Sequence, residues 1–377
     1  MLSTLALALL TTAAGLVSAQ GGQTCNSTSP CPASAPCCSE FGFCGTGSHF
    51  CLGGCNPLWS NKPTSCEPNP ICKDAVYKFP DNSLSNVLSN VTLYEGNATA
   101  HDFVLEKGNI FNTNQNGGEL VMTLTESNGG TRLSSTRYVH YGTISAMIRT
   151  GKWAGVVTAF ITMSDSKDEI DWEWPGAQVT EAQTNYFWLG KVDYSATQGT
   201  TVKGLTDTYV NYHNYTIDWQ EDELKWLIDG NVVRTLKKAD TLSSTVPGRY
   251  EYPTTPARVQ LSLWPAGIDG SAQGTIDWAG GWINWNDPDY IAAGQFSAIV
   301  SEVTVKCAPM TGVKNSSAMT SYVYGTNDST GVPTVQLTNQ STMLGGAVSS
   351  VRVGQSFWLG LSVGMLCAVA GVFTTLV

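Results

Sequence analysis

Charge is scarce in this chain. Only 13% of its 377 residues are charged, about half the usual share for a soluble domain. Basic residues are the scarcer kind: 20 Lys and Arg face 30 Asp and Glu, a net charge of −10. That balance argues against nucleic acid and against a polybasic membrane patch as partners. Histidine is down to four, His49, His101, His140 and His213. They share no ligand spacing with the cysteines, so no zinc site is expected, and no other metal or cofactor. No long stretch of 3.6-residue periodicity competes with strands.

Glycine (38), tyrosine (14) and tryptophan (12) are plentiful instead. Sparse charge with many aromatic and turn-forming residues suits an all-β protein that handles uncharged polar ligands. From about Ala75 to Val305, short runs rich in Val, Ile, Thr, Tyr and Trp alternate with Gly/Asn/Asp turns. The runs are Glu119 to Thr125, Gly142 to Arg149, Val156 to Met163, Tyr215 to Trp219, Leu224 to Ile228 and Val232 to Leu236. Asp229-Gly230 between the last two is a hairpin signal. So many strands predict a β-sandwich, a jelly roll with one concave face.

Both ends read as addresses. Residues 1–19 form an apolar stretch closing on Val17-Ser18-Ala19, the pattern of a secretory signal peptide, although its start lacks a basic residue. Phe357 to Val377 is apolar to the last residue, preceded by Gly345-Gly346-Ala347 and a nine-residue spacer. Small residues, spacer and tail are the pattern of a glycosylphosphatidylinositol anchor signal, with Gly345 as the attachment residue and 346–377 removed. A transmembrane helix is the rival, since about 20 apolar residues span a bilayer, but no Lys or Arg follows the tail. The chain is thus expected outside the cell, held at the plasma membrane or in the wall. Residues 309–345, rich in Ser, Thr, Asn and Gly, read as a glycosylated spacer without a fold. Sequons stand at Asn26, Asn90, Asn97, Asn214, Asn315, Asn327 and Asn339.

Removal of the tail takes Cys367 and leaves ten of eleven cysteines, an even number that reads as disulfides in a secreted chain. Eight of them fall in the 42 residues from Cys25 to Cys66, a segment too small for a substantial core and in need of staples. Spacing alone leaves their connectivity open.

The chemistry gathers at Asp168-Glu169-Ile170-Asp171-Trp172-Glu173-Trp174. On a strand, residues two apart share a face, so Glu169, Asp171 and Glu173 line one side while Ile170, Trp172 and Trp174 are buried on the other. A charged strand edge would use one or two charges, and like charges stacked together destabilise a strand unless something needs them. Glycoside hydrolysis needs them: one carboxylate at the anomeric carbon, one carboxylic acid at the leaving oxygen. A third acid between the two can push their pKa values apart. A second stretch, Val259 to Pro265, alternates likewise and puts Gln260, Ser262 and Trp264 on one face, with the indole placed to stack on a sugar.

These motifs carry two resemblances. Cys37-Cys38-Ser39-Glu40-Phe41-Gly42-Phe43-Cys44-Gly45 followed by Phe50-Cys51 resembles the hevein-type chitin-binding module, carbohydrate-binding module family 18. The resemblance implies that Ser39, Phe41, Phe43 and Phe50 hold N-acetylglucosamine. Three rings on a module without a core would also form a stacking platform in their own right. The chain has Phe where that family often has Trp or Tyr, with less area and no hydroxyl. The same resemblance implies the pairings Cys25–Cys38, Cys31–Cys44, Cys37–Cys51 and Cys55–Cys66, which would leave Cys72 to pair with Cys307.

The acid heptad, with Tyr141 to Arg149, Gly155 to Phe160, His213 to Trp219 and Ile228-Asp229-Gly230, looks like glycoside hydrolase family 16. With the preceding module and the anchor signal, the chain resembles fungal Crh-type cell-wall transglycosidases over nearly its whole length. That implies Glu169 as nucleophile, Asp171 as assisting acid and Glu173 as acid/base, with Gln260, Trp264 and Thr275 contacting a chito-oligosaccharide. Tyr186, Trp188, Trp282 and Trp285 are further cleft candidates. The domains expected are a module over 20–66 and a catalytic jelly roll over 67–308. The expected partners are a chitin donor and a β-glucan or chito-oligosaccharide acceptor, met by a monomer. A hydrolase of the same fold and a wall lectin without activity are the alternatives.

Overall fold

Alternation of apolar and polar residues builds two sheets that close face to face over the jelly-roll region. In the computed structural model, residues 22–80, 84–192, 199–310 and 316–344 are described. The stretches expected as signal peptide and anchor signal, with Gly345, and Asn315 lie outside them. The front sheet runs Thr200–Lys203, Glu181–Phe187, Glu169–Pro175, Val156–Ser164, Ala257–Pro265, Thr131–Val139, Phe103–Lys107 and Val87–Leu88, in that order. The back sheet runs Asn231–Lys237, Glu223–Ile228, His213–Trp219, Gly142–Arg149, Phe296–Cys307, Leu120–Leu124 and Ile110–Asn112, with Ala75–Lys78 also pairing to Phe296–Cys307. All pairs in these two sheets are antiparallel except Val87–Leu88 with Phe103–Val104.

The core between the sheets is aromatic. Trp172, Trp174, Trp219, Trp226, Tyr215 and Phe160 are fully buried there. Indoles bring a polar handle that must be satisfied, and two do so across the sandwich. Trp172 donates to the Thr216 carbonyl at 3.2 Å and Trp226 to the Asp171 carbonyl at 3.0 Å. The acid strand is thereby bolted to the back sheet through its own backbone.

Disulfides join Cys25 to Cys38, Cys31 to Cys44, Cys37 to Cys51, Cys55 to Cys66, and Cys72 to Cys307. The last one ties the entry of the sandwich to its final strand.

Within the expected spacer, residues 316–344 depart from expectation. Instead of an unfolded spacer, Ser321–Asn327 and Pro333–Thr338 form a hairpin that adds to Asn69–Pro70 as a small three-stranded sheet. Tyr322 and Tyr324 are buried, and Asp328 turns the chain by accepting from the backbone of Thr330 and Val332. Thr342 then reaches the Gly96 carbonyl at 2.8 Å. The Ser/Thr-rich composition hid a period-2 pattern, because Thr is itself a good strand residue. Of the described sequons, Asn26, Asn90, Asn327 and Asn339 are exposed, while Asn97 and Asn214 are half-buried.

A buried carboxyl helps to tie the small module to the jelly roll. Asp165, in the turn just before the acid strand, accepts from Gly54 N (3.0 Å), Tyr138 Oη (2.7 Å) and Asn69 Nδ2 (2.6 Å). Module, connecting segment and the hairpin that carries the acid strand therefore share a single acceptor. Asp165→Ala strands several buried donors and should cost about 3 kcal/mol. A guanidinium midpoint unchanged from wild type would show that the junction does not depend on Asp165.

Candidate active site

Strand register decides which side chains meet. Ile170, Trp172 and Trp174 face the core, at 1%, 0% and 1% exposure, while Glu169, Asp171 and Glu173 face the opposite side. Three cross-strand rows cross that outer face, each with an acid on it. Glu173 lies opposite Ala159, which lies opposite Ser262, which lies opposite Arg132. Asp171 continues through Ile161 and Gln260 to Ser134. Glu169 continues through Met163 and Arg258 to Tyr138. On the other flank Gln183, Asn185 and Phe187 stand beside Glu173, Asp171 and Glu169.

The acid strand begins at a fixed corner. Asp168 accepts from the backbone N–H groups of Leu189, Thr254 and Thr255 and from the Thr255 hydroxyl. These contacts anchor the strand where Glu169 leaves it.

Burial dominates the electrostatics. Asp171 is buried and its neighbours half-buried. Loss of water raises all three carboxyl pKa values. For Asp171 the charges of Glu169 and Glu173 add to burial and push it well above the usual range. Burial and like charge thus favour the protonated form of Asp171, which donates a hydrogen bond to Glu169. That bond, with the Lys167 ammonium, pulls Glu169 back toward ionisation against its burial. Glu173 goes up to about 8 through burial and the Glu169 charge, opposed by a hydrogen bond from the Trp264 indole. Glu173, held up at about 8, thus keeps its proton at neutral pH, while the bond from Asp171 favours charge on Glu169, the division of labour that a retaining glycosidase uses.

The remaining predicted residues divide. Gln260 is buried in the central row and donates to Ser134 Oγ at 2.9 Å. Trp264 stacks on Trp278 with centroids 6.0 Å apart. Thr275 is half-buried on the short helix Gln273–Trp278 that carries this second indole. Tyr186 does not reach the cleft: it lies opposite Ile170 and so faces the core. Trp285 packs on Tyr290 and Phe296, and Arg249 covers the Trp188 ring. Trp282 is exposed. On the module, Ser39 is buried and its Oγ accepts from Phe43 N, Phe41 and Phe43 are exposed, and Phe50 is half-buried.

Sequence reasoning passed over Trp278, which donates to Gln183 at 2.8 Å beside Glu173. It also passed over Lys167 and Arg132. Lys167 sits two residues before Glu169, a signal within reach; Gln183 and Arg132 needed the strand order. Among the described residues, the one grouping of metal-capable atoms, Cys25, Cys31 and Cys38, is tied up in disulfides.

Comparison with known proteins places this geometry. Residues 97–280 match the model for glycosyl hydrolases family 16. Crh-like protein 2 of Aspergillus fumigatus is 42% identical over 346 residues, covering 90% of this chain and 74% of the relative. Congo red hypersensitive protein 2 of Saccharomyces cerevisiae is 40% identical over 320 residues, covering 85% and 67%. The solved structure of a Crh5 transglycosylase in complex with NAG is 27% identical with a TM-score of 0.55, covering 72% of this chain and 95% of that one.

If Glu173 must be protonated and Glu169 ionised, activity follows a bell-shaped pH profile whose alkaline limb falls at about 8. The acid limb stands above the ordinary carboxylate range, because Glu169 is raised. Trp264→Phe removes a donor that favours the charged form of Glu173, so the alkaline limb should move to higher pH. A limb that stays in place in the Trp264→Phe profile would assign it to another group.

Proposed function

The chain belongs to glycosyl hydrolases family 16, among its Crh-like proteins, and on that premise we propose that it is a cell-wall transglycosylase that cuts β-1,4-linked chitin and joins it to glucan. It is a glycosidase-fold enzyme of the retaining type. The observation that carries the mechanism is the placement of Glu169, Asp171 and Glu173 on one face of a single strand, with Asp171 in the middle and hydrogen-bonded to Glu169.

In the first step Glu169 attacks the anomeric carbon of an N-acetylglucosamine unit. Glu173 passes its proton to the departing glycosidic oxygen, and the donor is left as a glycosyl ester on Glu169. In the second step the ionised Glu173 takes the proton of an acceptor hydroxyl, whose oxygen displaces the ester and regenerates Glu169. Asp171 stays protonated throughout, orienting Glu169 and spreading its charge. Carboxyl groups alone carry these steps. Gln260, Trp264 and Thr275 are assigned to the sugar, and Ser39, Phe41, Phe43 and Phe50 to N-acetylglucosamine on the module.

The acceptor decides the outcome: a glucan hydroxyl gives a cross-link, water gives hydrolysis. Transfer is favoured by the kinship with Crh-like proteins and by the Crh5 transglycosylase structure. The enzyme works outside the cell as a monomer, with an N-terminal signal peptide, N-linked glycans on its sequons and a lipid anchor at Gly345. Two expected domains, a chitin-binding module over 20–66 and a catalytic jelly roll over 67–308, complete the assignment.

The test incubates purified protein with a chito-oligosaccharide donor and a fluorescent glucan acceptor, with Glu169→Gln as control. Mixed products resolved by mass and absent from the control are expected, with turnover in the control down by at least about a thousandfold. Shortened sugars without mixed products would make the protein a hydrolase, and no covalent change with either protein would leave a lectin.

A further inference from the structure

The module is locked to the catalytic sheet by buried charge. Glu40, from the centre of the module, enters the outer face of the front sheet. There it meets Arg258 at 2.8 Å and Arg132 at 2.9 Å. Glu106 closes the ring, at 2.8 Å from Arg258 and 2.5 Å from Arg132. Side chains of Glu40, Glu106 and Arg258 are 9%, 1% and 5% exposed. Burial pushes the Glu40 carboxyl up, yet the cations outweigh it and hold it down at about 2. Lys167, neighbour of the acid strand, adds a contact to the Glu40 carbonyl at 3.4 Å. Buried ion pairs are weak evidence of stability, but breaking one is costly and their geometry is restrictive. A module free to swing on a tether would have no use for such a lock.

The residue after Glu40 is Phe41. Its ring is 62% exposed, and the Arg132 guanidinium carbon lies 5.6 Å from its centroid. Arg132 occupies the same cross-strand row as Glu173, three strands away through Ser262 and Ala159. At ~4.8 Å per strand this is ~14 Å, within reach of a short oligosaccharide lying across the sheet. Behind Phe41 opens a cavity of about 430 Å³ whose lining includes Ser39, Phe43, Phe50, Tyr94 and Glu106. Module residues and jelly-roll residues share this cavity. Phe50 lies so flat on Gly45 that a Cβ there would come within 2.4 Å of the ring.

We propose that Phe41 and Arg132 form an outer pyranose subsite of the catalytic cleft, so that one glycan chain is gripped by the module and the jelly roll together. The ring stacks on the apolar face of an N-acetylglucosamine unit while the guanidinium donates to its hydroxyl or amide oxygens. The Glu40 lock fixes the distance from this subsite to Glu173, so the module acts as a ruler on the chain being processed. The proposal rests on the cleft being a glycan track.

The test is calorimetric titration of the full-length Glu169→Gln protein with chito-oligosaccharides of increasing length, repeated with Phe41→Ala and Phe41→Trp added. One long oligomer should bind per protein, at least tenfold tighter than chitobiose. Phe41→Ala should abolish most of that gain and Phe41→Trp should retain it, which separates loss of a ring from loss of the fold. Two independent long oligomers per chain, or a length gain untouched by Phe41→Ala, would overturn the shared site while leaving the enzyme reading intact. Binding of no oligomer at any length would remove the glycan track itself.

Discussion

A carboxyl group deprived of water must find a cation or keep its proton, and the active face of this enzyme is built on that constraint. Glu169, Asp171 and Glu173 share one side of a single strand, and burial raises all three. Charge on one raises its neighbours, and the hydrogen bond from Asp171 favours charge on Glu169. The crowding is held by the other side of the same strand. Trp172 and Trp174 are locked in the core, stacked with centroids 6.1 Å apart. Hydrophobic burial there offsets the electrostatic cost on the exposed side.

The same constraint is solved in the opposite way a few strands off. Glu40 and Glu106 also carry buried carboxyls, but two arginines neutralise them. Paired acids are fixed and chemically quiet, whereas unpaired ones hold protons that can move. One sheet face therefore carries a structural half and a reactive half, told apart by where arginine occurs.

The reactive half was legible in the sequence because it is local. Seven consecutive residues carry the acids, the burial pattern and the strand period, so no tertiary information was needed. The adjacent cysteine pair made the module recognisable in the same way. The structural half was not legible, since Glu40 and Arg258 stand 218 residues apart and nothing in either neighbourhood announces the other. Tyr186 was misplaced as a cleft residue for a related reason, as strand parity depends on where pairing begins. The hairpin over Ser321–Asn327 and Pro333–Thr338 was missed because composition was weighed before alternation, and Thr and Ser on its outer face masked the buried tyrosines.

The Cys72–Cys307 bond has a mechanical meaning. It bridges the entry and the last strand of the sandwich across 235 positions of sequence. Tension applied to the chain upstream of Cys72 and downstream of Cys307 therefore runs through one covalent link. The main-chain path through the two sheets, residues 73–306, is bypassed by that link. A pull on the main chain at both flanks would meet this sulfur link before any strand between Cys72 and Cys307 had to peel.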